Sequence, residues 1–380
     1  MPLVPSSTDT SSSSQRRRNS LLRTFSPSYP TPPLYKRYVL LNQLQNTCTS
    51  LRNTLSSLYI LKAFEYSSSS AVALTATLSF ITRDGAGMLS TLLFSRCAQP
   101  FSLKSDTKRW RFLADITCNV ALLLEFLSCG KKLSTRKFTA ALCLTNSLKA
   151  CCGCMAASAA GPIDFHWSGS DANNLPELSQ KSGAQSTLSS SIGLVLGALL
   201  AKLASTPARV KQACAGYLLL TVAHLAANAA LLRTVRFTYP NLPRLRLMVR
   251  RFQENDGYVM SPEEVAAAEP MLFGGWAKRR TAVGGQEQGE GLWLEGLSLT
   301  SSGGVVLELH NGEADDTLCK AWFVALASSS NGSKWTLQTS LEKWEEFKNE
   351  ARRKGWELEN ALLKDEGWRH AFPPQEALES

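Results

Sequence analysis

A chain of 380 residues with 44% hydrophobic and 19% charged side chains can bury a sizeable core and has room for two or three domains. Its formal charge of +10 is uneven: eight basic residues face Asp9 alone up to Lys62, leaving +7 there and +3 in the remainder, so the folded body lacks the basic surface of a nucleic-acid binder. No G-x-S-x-G elbow, P-loop or H-E-x-x-H motif occurs and the four histidines lack helical ligand spacing, so no enzyme class, metal or cofactor is called for.

Residues 1–24 are rich in Ser and Arg and nearly free of acid, the composition of a plastid or mitochondrial transit peptide or of a solvated, disordered tail. From Tyr38 to about Leu61 apolar residues recur at three-and-four spacing, which predicts an amphipathic helix, and the serines at 67–70 end it. Apolar helices are expected near 71–96, 112–129, 137–160, 184–204 and 212–235. The last two are long enough to cross a bilayer, and Gly193-x-x-x-Gly197 adds a small-residue face of the kind found in packed membrane helices. Cys151 and Cys154 lie among Ala, Gly and Ser without a second pair, so they read as small residues on a closely packed helix in a reducing compartment. A polar loop follows this helix, "GPIDFHWSGSDANNLPELSQKSGAQ". Ser261, Pro262 and Glu264 then form a helix start with a capping box.

The expected fold is mainly α: a multi-helix, membrane-associated bundle over 25–270, then a linker at 271–290 and a small Trp-rich α+β domain over 291–380. Seven of the nine tryptophans fall from Trp276 on, and the short runs around "GLWLEGLSL" and "GGVVLELHN" predict strands. A soluble helical adaptor with an apolar core is the alternative to the membrane reading.

Charges in the apolar stretches narrow the function. One at a bilayer centre costs on the order of 3 kcal/mol, so it must face protein or water. Arg83, Asp84, Asp115, Glu125, Asn174, Lys181, Gln185, His224, Asn228 and Arg233 either cap helices and meet solvent one by one, or converge on one polar interior. Gly85 and Gly87 would let a neighbouring backbone approach beside Arg83 and Asp84. Neighbours in a helix point about 100° apart, so Asp84 is expected to pair with a base from another segment: Lys108, Arg109, Arg111 or Lys181.

The same residues resemble the root UVB sensitive (RUS) family, from about Phe25 to Glu269. "FITRDGAG" is similar to the family's aromatic-x-x-Lys-Asp-Gly-x-Gly, with Arg83 in place of lysine; "KRWRFLAD" supplies Trp110, Arg111 and Asp115, with Glu125 ten residues on. "NNLPELSQKSGAQ" resembles the family loop and contributes Asn174, Glu177, Lys181 and Gln185; His224, Asn228 and Arg233 match its His-x-x-x-Asn and following Arg. Cys118 and Asn119 stand where the family has Asn-Asp, Ser182 replaces an acid and Ala184 a serine, which marks a divergent member. The resemblance implies a membrane protein, plastid-associated in some members, that acts with a family partner as a homo- or hetero-oligomer. It also implies links in plants to seedling development, auxin transport and vitamin B6 balance, with no settled biochemical activity. A transport-related or scaffold role is expected; binding of a vitamin B6 vitamer through a desolvated lysine, Lys181, is the alternative.

Overall fold

A computed structural model describes residues 25–65, 72–97, 106–129, 133–203, 210–255, 257–269, 293–294, 297–299, 305–307, 317–329 and 335–360. The expected tail at 1–24 and linker at 271–290 lie outside them. The chain divides into two compact units between Val235 and Arg236.

The first unit holds α1 (Tyr35–Glu65), α2 (Val72–Cys97), α3 (Thr107–Cys129), α4 (Thr135–Trp167), α5 (Leu175–Leu203) and α6 (Val210–Thr234). Helix α1 packs on α5, α6 and α3, whereas α4 packs on α3 and α2. Side-chain contacts fix the directions. Ser50 reaches Ser190 and Gln43 reaches Gln185, so α1 and α5 run parallel. Ser56 meets Glu125 where Arg52 meets Asn119, so α1 and α3 are parallel as well. The even-numbered helices return in the opposite sense, as Cys118 beside Cys152 and Glu125 beside Thr145 show for α4. The path is therefore an up-and-down serpentine.

Two helices are longer than expected. Helix α4 runs through Gly161-Pro162 to Trp167, and the polar loop shrinks to the few residues before Leu175. Proline removes one N–H from the last turns, which neighbouring helices tolerate, and the stop comes instead at Gly169 and Ser170, both at positive φ (75° and 61°). Asp171 then accepts from the Asn173 N–H at 2.9 Å and opens the next turn.

The small-residue face predicted at Gly193 and Gly197 lies on α1. A Cβ at Gly193 would sit 2.6 Å from Ser50 Cβ, and one at Gly197 2.7 Å from Thr54 Cβ. Around this crossing Asn46 donates to Ser186 (3.4 Å) and Ser50 to the Ser190 carbonyl (2.8 Å).

Apolar side chains lie both inside and outside the unit: Leu51, Ile60, Phe64, Leu122 and Leu142 are buried, and the interior also holds an unusual number of polar groups. Gln45, Arg52, Ser56, Asp115, Asn119, Glu125, His224 and Asn228 are buried. Leu74, Ile81 and Leu92 on α2, Leu127 on α3, Leu144 on α4, Val195 and Leu199 on α5, and Leu219 on α6 are exposed, Leu92 at 70%.

The second unit has α7 (Leu242–Glu254), α8 (Pro262–Ala268), strands β1 (Trp293–Leu294), β2 (Leu297–Leu299) and β3 (Val305–Leu307), α9 (Thr317–Ser329), α10 (Leu337–Glu342) and α11 (Trp344–Arg353). Its core is Leu245, Met248, Val249 and Phe252 of α7 against Phe323 and Val324 of α9 and Trp344 and Phe347 of α11. Asn241 and Thr336 cap α7 and α10, and Ser261 with Glu264 forms the predicted capping box. Arg244 is buried on Glu269 (3.0 Å) and stacks over Phe237.

An α+β domain over 291–380 is not supported. The three strands span two or three residues each in antiparallel order β1-β2-β3, and the described core is helical. Helices α7 and α8, assigned by sequence to the 25–270 domain, belong to this core, because α7's apolar stripe is completed by α9 and α11.

Candidate functional site

Three helices place polar side chains at helical spacing on facing stripes: Cys48, Arg52 and Ser56 of α1; Arg111, Asp115 and Asn119 of α3; Tyr217, Thr221, His224 and Asn228 of α6. Arg52 is fully buried; its Nε donates to the Cys48 carbonyl (3.3 Å), and its Nη1 to Asn119 Oδ1 and to Thr221 Oγ1 (3.2 Å). Asn119 is the hub. Its Nδ2 donates to the Asp115 carbonyl (2.6 Å) and lies 3.0 Å from His224 Nδ1, which makes Nδ1 the acceptor and puts the ring proton of a neutral imidazole on Nε2. Arg111 pairs with Asp115 Oδ1 at 3.1 Å, one turn along α3, and the Asn228 amide adjoins the Asp115 carboxyl.

A second cluster lies further along the same helices. Glu125, 3% exposed, accepts from Ser56 (2.6 Å), Thr145 (3.3 Å) and Lys149 (2.6 Å). Arg52 and Ser56, one turn apart on α1, join the two clusters. Below them Phe126 stacks on Tyr217 at 4.6 Å, and Tyr59 closes on Phe126 edge-on.

Arg111, Asp115, Glu125, His224 and Asn228 are therefore brought together. Arg83, Asp84, Gly85 and Gly87 stand apart on α2. Asp84 pairs with its neighbour Arg83 at 2.8 Å and is 52% exposed, correcting the expectation of a base from another segment. The 100° argument treats both side chains as fixed, but a long arginine lying over Phe80 (4.7 Å) bends back to the adjacent carboxylate. Gly85 has open space at its Cβ position, whereas Gly87 faces Asn146 of α4. That asparagine donates to the Arg83 carbonyl at 2.9 Å, which a side chain at 87 would block.

Residues expected in the polar loop lie on α4 and α5 and hold the segment from Phe25 to Tyr29. Ser28 donates through both N–H and hydroxyl to Glu177 (2.8 and 2.7 Å), and Gln185 donates to the Phe25 carbonyl (2.6 Å). Tyr29 donates to the Trp167 carbonyl at 3.3 Å, and burial pushes its phenol up to about 12. Asn174 donates to the Ser168 carbonyl (3.0 Å). Lys181 lies half-buried one turn after Glu177, Trp110 is half-buried beside Arg111, and Arg233 is exposed. Among the described residues no three His, Cys, Asp or Glu side chains gather at metal-ligating distance.

Sequence reasoning missed Arg52, Ser56, Asn119, Thr145 and Lys149. Asn119 was visible in "ADITCN" as an amide four residues after Asp115, on the same face.

Residues 11–256 match the family model described as "Vitamin B6 photo-protection and homoeostasis domain". The chain belongs to the RUS family. It is 28% identical over 239 residues to "RUS family member 1" of Dictyostelium discoideum (63% of this chain, 44% of the relative). Over 240 residues it is 30% identical to "Protein root UVB sensitive 3" of Arabidopsis thaliana (63% and 52%). To the same plant's "Protein root UVB sensitive 2, chloroplastic" it is 28% identical over 262 residues (68% and 58%). The chain thus spans about half the length of the curated relatives it matches. No solved structure matches it. The match includes α1 to α6 and α7 to Gln253, Glu254 and beyond, so the buried clusters lie wholly inside the RUS region.

Proposed function

We propose that this RUS protein is a non-enzymatic, membrane-embedded helical bundle with a transport-related or scaffold role. The observation that carries this reading is the apolar surface of the first unit: leucine, isoleucine and valine face outward around an interior that mixes apolar with ionisable and amide side chains. In water that surface would be a liability, and in lipid it is the expected arrangement. Four helices, within Thr107–Cys129, Thr135–Trp167, Ala172–Leu200 and Ala215–Thr234, are long and apolar enough to cross a membrane. A family partner would pack on the same apolar faces, and the relative named as chloroplastic supports a plastid membrane as the setting.

Alkaline carbonate extraction of membranes from cells expressing the full chain tests the embedding. The protein is expected in the pellet with integral proteins. Quantitative release into the wash would replace this reading with a soluble helical adaptor.

A further inference from the structure

Charge balance inside the bundle is incomplete. Arg111 is matched by Asp115 and Lys149 by Glu125. Arg52, 0% exposed, has carbonyl, amide and hydroxyl partners and the Tyr217 ring 6.0 Å away, and no carboxylate bonds it among the described residues. A guanidinium does not lose its proton in a protein, and the Asp115 carboxylate, whose charge reaches Arg52, is already paired with Arg111. Arg52 Nη2 also has no hydrogen-bond partner, and neither does the adjacent buried Tyr217 hydroxyl. Arg52 lies near the middle of α1, as Asn119 and Thr221 do on α3 and α6, at the depth where transporters hold their substrates, and Tyr217 is one turn before Thr221.

We propose that the Arg52 centre is a binding site for a small oxyanion, a carboxylate or a phosphate group. The free edge of the guanidinium would take one anion oxygen through Nη2, and the Tyr217 hydroxyl would donate to the same group. Asn228 Oδ1, buried and without a hydrogen-bond partner, would accept from a hydroxyl or N–H that the ligand carries. Monobasic phosphate offers both an oxyanion and such a hydroxyl. The proposal names a substrate class for the transport-related reading and rests on it for its biological sense, although binding is measurable without it.

The test is equilibrium dialysis of the full-length protein in detergent against labelled inorganic phosphate and, separately, labelled acetate, at fixed ionic strength in sodium chloride. Saturable binding near one equivalent of at least one anion is expected. Phosphate alone would point to phosphate-bearing ligands, and acetate alone to carboxylates. Arg52→Met should abolish binding and Tyr217→Phe should weaken it several-fold, while Arg233→Gln, altered on the exposed face, should bind as the parent does. Absence of saturable binding in the parent protein overturns the proposal, as does undiminished binding in Arg52→Met. Should Arg52→Met fail to fold, unchanged affinity in Tyr217→Phe overturns it instead. Null binding leaves membrane embedding intact, and carbonate release would leave a measured anion site intact, so the two readings fail separately.

Discussion

Asp84 and Gly87 are three residues apart and differ sharply in what they tolerate. Asp84 is half exposed and bonded to a flexible neighbour, and where they face water such surface pairs contribute about 0–1 kcal/mol. Asp84→Ala should therefore leave thermal melting within a degree or two of the parent and cellular abundance unchanged. Gly87→Ala should cost about 1–3 kcal/mol, because the new methyl displaces Asn146 and orphans its amide. A double-mutant cycle with Asn146→Ala checks the cause: the pair should be less destabilised than the sum of the single changes. Glu125 belongs with Gly87 rather than with Asp84. Glu125→Ala strands a lysine and two hydroxyls in the interior and should cost roughly 3–5 kcal/mol, read as loss of folded protein on size-exclusion chromatography.

At the scale of elements, the α1–α5 crossing and the α8 start allow separate tests. Gly193→Leu cannot be absorbed without moving α1, since Ser50 Cβ and the Thr47 carbonyl already occupy the space. Detergent-purified Gly193→Leu should be polydisperse, whereas Gly216→Leu, at a glycine with open space, should elute as a single peak. The capping box of α8 carries a pH signature. Tyr258 and then the Ser261 N–H bond the Glu264 carboxylate and hold its pKa below that of an ordinary glutamate. A depressed folded pKa stabilises above the unfolded value and is lost as pH falls through the folded one. Melting of the second unit, followed by its tryptophans, should thus weaken below about pH 4.5, with a shallower fall in Glu264→Gln. The sequence announced these elements unevenly. Ser261, Pro262 and Glu264 were legible because capping is local. Asp115, His224 and Asn228 were legible as polar residues at helical spacing in apolar helices. Arg52 was hidden because the spacing that predicts an amphipathic α1 does not mark its buried face: Leu40, Leu44 and Leu61 are exposed, whereas Arg52 and Ser56 are buried. Gly161-Pro162 read as a break because proline chemistry is local, whereas the packing that carries α4 past it is not.

The whole molecule combines an apolar-coated first unit, whose core mixes apolar and polar side chains, with a second unit whose core is aromatic and aliphatic. The two should respond differently to loss of detergent. Dilution below the critical micelle concentration should aggregate the full chain, seen by light scattering, while a soluble adaptor would stay dispersed. The second unit's boundary at Arg236 could not be read from composition. The apolar stripe of α7 looks like a continuation of the preceding bundle until α9 and α11, more than sixty residues later, are seen to cover it.

The central place of α1 sets an order on biogenesis. Its partners are made late: Ser190 lies 140 residues after Ser50, and Thr221 lies 169 after Arg52. At about 5–20 residues per second, on the order of ten to thirty seconds separate emergence of Arg52 from that of Thr221. During that interval α1 can meet α3 but lacks α5 and α6, the helices that cover the rest of its polar face. Nascent chains arrested ahead of Leu175 should expose Cys48 to a thiol reagent, and the finished chain, in which that cysteine is buried, should shield it.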